Sequence, residues 1–350
     1  MDRALALAER GRGQTVPNPM VGAVVVRDDR VVGEGFHERA GGPHAELIAL
    51  QDAGENARAA TLYVTLEPCD HHGRTPPCTD AILSAGIARV VAAIADPNPE
   101  SGKGAERLRA AGVTVDIGVR RAEAFELNAA WLSSFERNRP WVTLKLAVSL
   151  DGAIADKNRT RGRFTGMAAL AEAHRMRASH DAVAVGIATA IADDPTLTAR
   201  TDPAPARPPL RIVFDRSARL PPASVLARTA KELPTLLITD SRAKVSPELR
   251  EAGVEAVAAT DVAASLRLLH ERGIRSLLVE GGAGLGASFL ASGCVDRVVL
   301  FHAPLIFGAG SLGAFSGVAP HDPAHAPRFR LVRTATLGDD VMTVYAPVEG

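Results

Sequence analysis

Two stretches decide how this 350-residue chain is read: PHAELIAL at 43–50 and TLYVTLEPCDHHGRTPPCTDAI at 61–82. Together they offer one imidazole (His44), a carboxylate two residues later (Glu46) and two thiols (Cys69 and Cys78). Zinc that does chemistry normally has about three protein ligands and keeps the remaining tetrahedral position for water or substrate. We therefore predict a catalytic zinc centre on His44, Cys69 and Cys78.

The spacing places these groups at a helix start and a strand end. The apolar run after Ala45 predicts a helix, so His44 and Glu46 lie at its first turn, where the helix dipole favours anionic or metal-bound species. Residues 62–66 predict a short buried strand, and the turn that leaves it carries Cys69. The strand end and the helix start can then face each other across one small site.

Glu46 is predicted to move protons and not to bind the metal. The pattern H-x-E followed by P-C-x-x-C is typical of zinc nucleobase deaminases, in which the glutamate is not a ligand. This chain departs from that pattern in one respect, because its second cysteine comes nine positions after the first, 78 − 69. Two alternatives stay open here: a disulfide between Cys69 and Cys78, and a structural zinc site that takes His71 or His72 as a further ligand.

Length and composition bound the function classes. A chain of 350 residues with 46% hydrophobic content suggests two domains, each with its own core. Forty basic and forty acidic residues cancel, and no stretch concentrates either sign, so nothing favours nucleic-acid binding. The N-terminus lacks a signal-peptide core, and no apolar run approaches the roughly 20 residues that span a bilayer. We expect a cytoplasmic enzyme without a membrane partner.

The order of predicted elements indicates an α/β fold in both halves. Strands and helices alternate from residue 21 to 117, which is typical of an α/β sandwich. An amphipathic segment at 122–135 and a charged run ending at Pro140 predict a linking helix. The predicted domains are therefore 1–120 and 141–350, joined by a linking helix at 121–140. The second half has predicted strands at 141–148, 183–186, 211–215, 235–239, 276–280 and 297–301, and predicted helices at 167–179 and 261–272.

A glycine-rich turn follows one late strand of the second half. Glu280 to Gly286 reads EGGAGLG and opens into an apolar helix predicted over 287–290. Backbone N–H groups of such a turn can cradle a phosphate, although tight packing of a helix on a strand explains such glycines equally well. A GxGxxG fingerprint after an early strand is absent from the sequence.

The first half resembles a known enzyme family. PNPMVGAVVV at 17–26, PHAE at 43–46 and EPCDHHGRTPPC at 67–78 resemble the deaminase half of the bifunctional riboflavin-biosynthesis deaminase/reductase. The resemblance implies a cytidine-deaminase-like fold, with Zn2+ on His44, Cys69 and Cys78 and with Glu46 as the proton shuttle. It also implies that Asn18 contacts the substrate; the alternative is that the Asn18 amide caps or closes its turn.

The second half resembles the reductase half of the same family. The resemblance rests on KLAVSLDG (145–152), ATAIADDPTLTAR (188–200) and VEGGAGLGASFL (279–290), and it implies a dihydrofolate-reductase-like fold with NADPH as cofactor. By matched motif, the expected cofactor contacts are Val148, Thr189, Asp193, Gly282, Ala283, Gly284, Leu285 and Gly286. The expected substrate contacts are Arg177, Leu197, Arg200 and Glu280. Arginine suits a phosphate ester because its planar fork binds two oxygens, whereas the alternative for these arginines is a surface ion pair with Asp193 or Asp194.

One segment departs from the family pattern. Where the family usually has Ser followed closely by Trp-Ile-Thr, the segment from Arg161 to Thr165 reads RGRFT. Arg163 stands where an aromatic side chain would lie near the nicotinamide. This departure puts the reductase cofactor contacts in question.

The resemblance implies a two-step activity on a small phosphorylated pyrimidine. The first step is zinc-dependent hydrolytic deamination of 2,5-diamino-6-(5-phosphoribosylamino)pyrimidin-4-one. The second is NADPH-dependent reduction of the ribosyl chain, which gives 5-amino-6-(5-phosphoribitylamino)uracil. We also expect a homo-oligomer. The rival hypotheses are a single-function zinc deaminase with an inactive reductase-like C-terminal domain, and a non-enzymatic protein in which the metal holds a fold together.

Overall fold

The computed structural model describes residues 1–71, 76–160 and 162–348. The chain divides into two compact units, Met1–Arg137 and Asn138–Gly350. This division falls inside the segment 121–140 that the sequence assigns to a linking helix, and the domain boundaries given above stay a prediction.

The first unit alternates strands and helices. Its strands are β1 (Gly22–Arg27), β2 (Arg30–Phe36), β3 (Thr61–Val64), β4 (Arg89–Ala92) and β5 (Thr114–Ile117). Its helices are α1 (Asp2–Glu9), α2 (Ala45–Ala53), α3 (Cys78–Ser84), α4 (Gly104–Ala110) and α5 (Arg121–Ser133), with a 3₁₀ turn at Gly54–Ala57. The described strands form one sheet in the order β2-β1-β3-β4-β5. Strand β1 is antiparallel to β2 and β3, whereas β3, β4 and β5 run parallel.

Glycines of the β1–β2 hairpin let helices lie directly on the sheet. A Cβ at Gly22 would lie 2.0 Å from the Ala4 carbonyl oxygen of α1. On β2, a Cβ at Gly33 would lie 2.3 Å from the Ala49 oxygen, and one at Gly35 would lie 2.6 Å from the Ala45 oxygen, both in α2. Helix α2 therefore rests on the backbone of β2, and this contact sets the position of the helix N-terminus.

The second unit is built on a larger sheet. Its strands are β6 (Trp141–Val148), β7 (Ala153–Ala155), β8 (Ala182–Gly186), β9 (Leu210–Phe214), β10 (Thr235–Thr239), β11 (Glu255–Ala258), β12 (Ser276–Glu280), β13 (Arg297–His302), β14 (Leu312–Gly313), β15 (Phe329–Leu337) and β16 (Asp340–Pro347). Its helices are α6 (Met167–Ala178), α7 (Ile187–Asp193), α8 (Val225–Arg228), α9 (Pro247–Glu251), α10 (Val262–Glu271) and α11 (Ala283–Ala291).

Nine of these strands pair in the order β11-β10-β9-β8-β12-β6-β13-β16-β15, and β7 pairs with β14. Strands β11 to β13 of this order run parallel, and β16 and β15 are antiparallel additions at one edge. Neighbouring residues of one strand point to different cores: Val183 belongs to one buried cluster, whereas Ala182 and Ala184 belong to another. The sheet is thus covered on both faces, as parallel sheets normally are.

The structure corrects the sequence analysis at two places in this unit. The hairpin of β15 and β16 was not predicted, because β15 reads FRLVRTATL, with arginines and threonines among its apolar residues, and it is largely exposed. Helix α11 begins at Ala283, four residues before the predicted start at 287. The turn itself is only Gly281 and Gly282, at φ 68° and 76°, where a side chain would be strained.

Candidate active sites

Three elements of the first unit bring the predicted zinc ligands together. His44 is the N-cap of α2, Cys69 lies in the segment after β3, and Cys78 is the first residue of α3. The Nδ1 atom of His44 lies 3.2 Å from Sγ of Cys78 and 3.5 Å from Sγ of Cys69. Among the described residues, these three form the group of His, Cys, Asp or Glu side chains suited to a metal ion, with ligand atoms within 4.8 Å of one another.

This donor set fits zinc. Ligand bonds of about 2.0–2.3 Å at tetrahedral angles place neighbouring donor atoms about 3.5 Å apart, close to the distances found here. The disulfide alternative is wrong, because Cys69 and Cys78 are free thiols. The structural alternative gains no fourth ligand from His71, which lies outside the metal-binding group, and His72 lies outside the described residues.

Glu46 sits in the first turn of α2 beside this group and is 3% exposed. Burial raises the pKa of Glu46 to about 7, and the nearby charge of His44 opposes that rise. A carboxyl group with such a pKa can both accept and release a proton at neutral pH. Hydrogen bonding with Cys78 is the main reason that the pKa of Cys69 is lowered to about 4, so one thiol of the pair ionises readily.

A cavity of about 460 Å³ opens beside these residues, and Asn18 and His37 line it. His37 donates from Nδ1 to the Pro43 carbonyl at 2.9 Å, so its Nε2 is left to accept from the Asn18 amide at 3.2 Å. Burial lowers the pKa of His37 and so favours this neutral form. The turn that contains Asn18 is closed by its backbone N–H, which donates to the Thr15 carbonyl at 2.7 Å, and the role of the side-chain amide stays a prediction. His37 was not predicted, although its place directly after β2 was a signal.

Glu67 also lines the cavity and binds the backbone of a neighbouring loop. Its carboxylate accepts from the backbone N–H of Asp96 at 3.1 Å and from that of Ala105 at 2.8 Å. These two bonds fasten both ends of the loop that carries Asn98 and Ser101, which line the cavity. None of these residues was singled out from the sequence, because loop residues that meet only in three dimensions leave no periodic pattern.

In the second unit, Glu280 ends β12 beside two cationic side chains. Arg177 donates from Nε and Nη2 to the two carboxylate oxygens at 2.6 and 2.7 Å, and from Nη1 to the Thr198 carbonyl at 3.1 Å. The alternative of a surface ion pair with Asp193 or Asp194 is wrong for Arg177, because its partner is Glu280 and the pair is buried. Burial alone would raise the pKa of Glu280, but Arg177 and Lys145 lower it to about 2.

Lys145 and His174 join this group and were not predicted. Lys145 stands opposite Glu280 in the β6–β12 register, and burial lowers the pKa of its ammonium. A charged residue inside the apolar strand WVTLKLAV was the available signal. His174 accepts from the backbone N–H of Arg200 at 3.3 Å. The charges of Arg177 and Arg200 act on the same imidazole, so the structure places Arg177, Arg200 and Glu280 around His174.

Leu197 belongs to the same region. It lies one residue before Thr198, is 1% exposed and has φ 53°, in the left-handed region. A buried leucine rarely takes this conformation, so the segment is held there by its surroundings. Of the four predicted substrate contacts, Arg177, Arg200 and Glu280 present polar groups, whereas Leu197 contributes the turn.

The predicted cofactor contacts lie at the carboxyl ends of parallel strands. Val148 ends β6, and Thr189 lies in the first turn of α7, which follows β8. A Cβ at Gly282, the N-cap of α11, would lie 2.9 Å from Thr189 Oγ1, so these two predicted contacts are neighbours. Ala283, Gly284, Leu285 and Gly286 form the first turn of α11, and Asp193 ends α7. Unpaired N–H groups at such a helix start suit a pyrophosphate.

The segment that departs from the family pattern, residues 161–165, has an aromatic residue, Phe164, next to Arg163. Arg163 is exposed and donates from Nη2 to the Met167 sulfur at 3.4 Å. Phe164 packs edge-on against Phe307 with ring centroids 5.1 Å apart. Arg161 lies outside the described residues.

Among the residues that the structure describes, no helix combines the length and the apolarity that a membrane crossing requires. The fold and the two sites define a class: a two-unit enzyme with a cytidine-deaminase-like zinc unit followed by a reductase unit. Family models agree with this class. The cytidine and deoxycytidylate deaminase zinc-binding region matches residues 1–94, and the RibD C-terminal domain matches residues 140–343.

Individual proteins are similar over nearly the whole chain. The riboflavin biosynthesis protein RibD of Aquifex aeolicus is 43% identical, with 99% of this chain and 97% of that protein covered. The Escherichia coli RibD is 38% identical, with 97% and 96% covered. Among solved structures, the Thermotoga maritima diaminohydroxyphosphoribosylaminopyrimidine deaminase/5-amino-6-(5-phosphoribosylamino)uracil reductase is 39% identical, with a TM-score of 0.86 and 99% and 97% covered. Acinetobacter baumannii RibD, form 1, also has a TM-score of 0.86, at 37% identity, with 99% and 98% covered.

The chain belongs to the RibD family of riboflavin biosynthesis proteins. The predicted family, the α/β fold class with a cytidine-deaminase-like unit and a reductase unit, and the two cofactors Zn2+ and NADPH are confirmed. The roles of the individual site residues stay predictions.

Proposed function

We propose that this chain deaminates 2,5-diamino-6-(5-phosphoribosylamino)pyrimidin-4-one with zinc and then reduces the ribosyl chain with NADPH. The product is 5-amino-6-(5-phosphoribitylamino)uracil. The observation that carries this function is the His44, Cys69 and Cys78 group beside buried Glu46, in a chain that matches RibD proteins over both units. No observation favours the rival with an inactive second unit, since the reductase family model covers residues 140–343.

In the first unit, His44, Cys69 and Cys78 would hold the metal. Zinc held there would supply an activated water as the nucleophile at neutral pH. Glu46 would take one proton from the attacking water and pass it to the ring nitrogen. It would then pass the second proton of that water to the departing amine, which leaves as ammonia. Asn18, held by His37, presents its amide to the polar edge of the pyrimidine.

In the second unit, the turn from Gly282 to Gly286 with Val148, Thr189 and Asp193 would hold NADPH, which supplies the hydride. Arg177, Leu197, Arg200 and Glu280 would hold the substrate. Lys145 lies beside Glu280, and its lowered pKa would suit it to give a proton to the ring oxygen as the sugar ring opens, which leaves an iminium carbon at C1′ for the hydride to reduce. Arg177 keeps Glu280 ionised, and the ionised carboxylate in turn orients Lys145.

A coupled assay tests both steps at once. The diaminopyrimidine substrate is supplied with NADPH, and ammonia release and NADPH consumption are measured in parallel. Both signals are expected, with NADPH loss following ammonia release because the reductase acts on the deaminated product. Ammonia without NADPH loss would instead leave a single-function deaminase.

The Glu46→Gln substitution should abolish ammonia release while zinc stays bound. Glutamine keeps the shape of the side chain but cannot carry the proton, and removing a general acid/base typically lowers the rate by about 10²–10⁴-fold. The measurement is ammonia release together with zinc content per chain. The exposed Glu106→Gln serves as the control and should behave as the wild type. Retained deamination by Glu46→Gln would assign the proton transfer to another group.

We further propose a homo-oligomer that works in the cytoplasm on this small phosphorylated substrate, without nucleic-acid or membrane partners. The balance of 40 basic and 40 acidic residues supports the absence of a nucleic-acid partner. Light scattering of the purified chain tests the assembly, and a monomer at working concentration would contradict it.

A further inference from the structure

The two cysteines of the metal group are far apart in sequence for a zinc site of this kind. In a C-x-x-C pair, one tight turn holds both sulfurs, whereas here Cys78 comes nine positions after Cys69, three times the spacing. The probability that two chain ends meet falls with roughly the 3/2 power of their separation, so tripling it lowers that probability about fivefold. Some other contact must hold the two cysteine sulfurs close together, as the tight turn does in a C-x-x-C pair.

Arg107 of α4 makes such a contact. Its Nη1 donates to Oδ1 of Asp70 at 2.6 Å, and Asp70 directly follows Cys69. Its Nη2 donates to Oδ1 of Asp80 at 2.5 Å, two residues after Cys78. One planar guanidinium therefore joins the two cysteine-bearing segments through charge-assisted hydrogen bonds.

Thr79 closes the same bridge. It receives a hydrogen bond from Arg107 Nη1 at 3.0 Å, and its hydroxyl donates to Asp70 Oδ1 at 2.7 Å. Its backbone N–H also donates to the Cys69 carbonyl at 3.3 Å. The residue after each cysteine is thus tied to the other segment, and Arg107 is the member that comes from outside the intervening loop.

Helix α4 is itself fixed to the strand that leads to Cys69. Glu67 accepts from the Ala105 N–H at the start of α4 at 2.8 Å, and a Cβ at Gly104 would lie 1.8 Å from the Pro68 carbonyl oxygen. The helix thus sits against the backbone just before Cys69. Because α4 is fixed in this position, Arg107 reaches both Asp70 and Asp80, and no long surface segment has to become ordered for these contacts to form.

We propose that Arg107 is a positioning residue for the metal, which clamps the Cys69 and Cys78 segments at the spacing that zinc requires. The proposal rests on the zinc site of the proposed function. It assigns to α4 a part in metal retention, although α4 carries no ligand. Groups bonded directly to metal ligands commonly change metal affinity by about 10–100-fold when they are removed. Arg107 bonds the neighbours of the ligands and is 40% exposed, so a smaller effect is expected.

The test compares Arg107→Met with Arg109→Met. Both substitutions remove a guanidinium from α4, but the hydrogen bond that Arg109 makes within the described part of the chain goes to the Val115 carbonyl of β5, at 3.0 Å. Zinc affinity is measured on the full chain by competition with a chromophoric chelator, and the zinc dissociation rate is measured after excess chelator is added. We expect Arg107→Met to weaken zinc binding by about 3–10-fold, chiefly through faster dissociation, and Arg109→Met to match the wild type.

Unfolding of the metal-free variants distinguishes a specific effect on zinc binding from a general loss of stability. A clamp leaves the metal-free midpoints of the two variants alike and lowers only the stabilisation that added zinc provides. If Arg107→Met does not fold, Asp80→Ala removes one acceptor of the bridge and Arg107→Lys removes its planar fork, and each should give a smaller loss of zinc affinity.

Two outcomes overturn the proposal: zinc affinity in Arg107→Met equal to that in Arg109→Met, or a loss that appears equally in the metal-free midpoint. A wild-type chain that binds no zinc would instead remove the proposed deaminase function itself. The two failures are therefore distinguishable in one titration.

Discussion

Glu280 shows how one buried residue depends on its partners. It accepts two charge-assisted hydrogen bonds from Arg177 and faces Lys145 across the sheet. A buried charge that loses its partner typically costs about 3–5 kcal/mol of stability, because the remaining charge has neither water nor a counterion. Loss of Arg177 alone would leave Lys145 as the remaining counterion of Glu280 and should therefore destabilise the second unit.

Replacing Arg177 by Met should destabilise the second unit by about 3 kcal/mol at neutral pH. The same substitution should raise the reductase KM, since Arg177 is a predicted phosphate contact. Trp141 fluorescence in a Trp131→Phe background reports the unfolding of this unit, because the chain has only two tryptophans. Arg175→Met is the matched control, since Arg175 is half exposed and pairs with Glu172 one turn away on the same helix. An unchanged midpoint would show that Glu280 does not need Arg177 as a counterion.

The pH dependence of stability should differ between the wild type and Arg177→Met. In the wild type, the pKa of Glu280 is lowered to about 2, below its unfolded value of about 4.3, so this pair loses stability as pH falls from about 4.3 to about 2. In Arg177→Met, burial raises the pKa of Glu280 while Lys145 still opposes that rise, so the stability lost between about pH 4.3 and about pH 2 should shrink. Urea midpoints measured between these pH values check the two slopes.

For individual residues, the sequence predicted local motifs well and neighbours in space poorly. His44 and Glu46 belong to one helix turn and Cys69 to one strand end, so the spacing alone indicated a metal site. His37, Glu67 and Lys145 act through partners far away in the chain, and only the fold brings those partners together.

Helix α2 carries Glu46, has His44 as its N-cap and packs on strand β2. Because a Cβ at Gly35 would meet the Ala45 oxygen at 2.6 Å and the Ala49 nitrogen at 2.6 Å, any side chain there must push the helix away from the sheet. Overpacking of this kind typically costs about 1–3 kcal/mol.

Gly35→Ala should therefore lower both the stability of the first unit and its zinc affinity, because the displaced helix carries a ligand. Gly313→Ala is the control, since among the described residues its Cβ would first meet Ser316 Cβ, at an ordinary contact distance of 3.8 Å. Calorimetry and zinc titration of both variants provide the measurement. A Gly35→Ala protein with native stability and affinity would show that α2 can shift without moving His44.

Elements with a strong apolar pattern were predicted, and elements without one were not. The buried strands β6, β10 and β12 begin and end at the predicted residues. The edge hairpin of β15 and β16 was missed because an exposed edge strand needs no apolar face. The start of α11 was misplaced because glycines disfavour a helix interior, yet here they occupy its first turn.

The residues predicted for deamination and those predicted for reduction lie in different units of the chain. All predicted metal ligands lie in Met1–Arg137, and all predicted cofactor contacts lie in Asn138–Gly350, each unit having a buried core of its own. The loss of one chemistry therefore need not remove the other.

Removal of zinc by a chelator should abolish ammonia release and leave reduction intact. When the deaminated aminouracil is supplied directly, NADPH consumption should continue at the untreated rate, and added zinc should restore the first step. NADPH consumption is followed with and without chelator on the same preparation. A parallel loss of both activities would mean that the second unit depends on the metal.

Strand order also has a consequence for how the chain is made. In the first unit, β1 pairs with β2, which follows at once, and with β3 soon after. In the second unit, β6 is made first, yet its neighbours β12 and β13 are among the last strands to leave the ribosome. Domains generally fold as units during synthesis, and distant pairings slow that process. The growing chain can thus complete its metal-binding half early, whereas the reductase half must wait, unpaired at its centre, until almost the whole polypeptide has been translated.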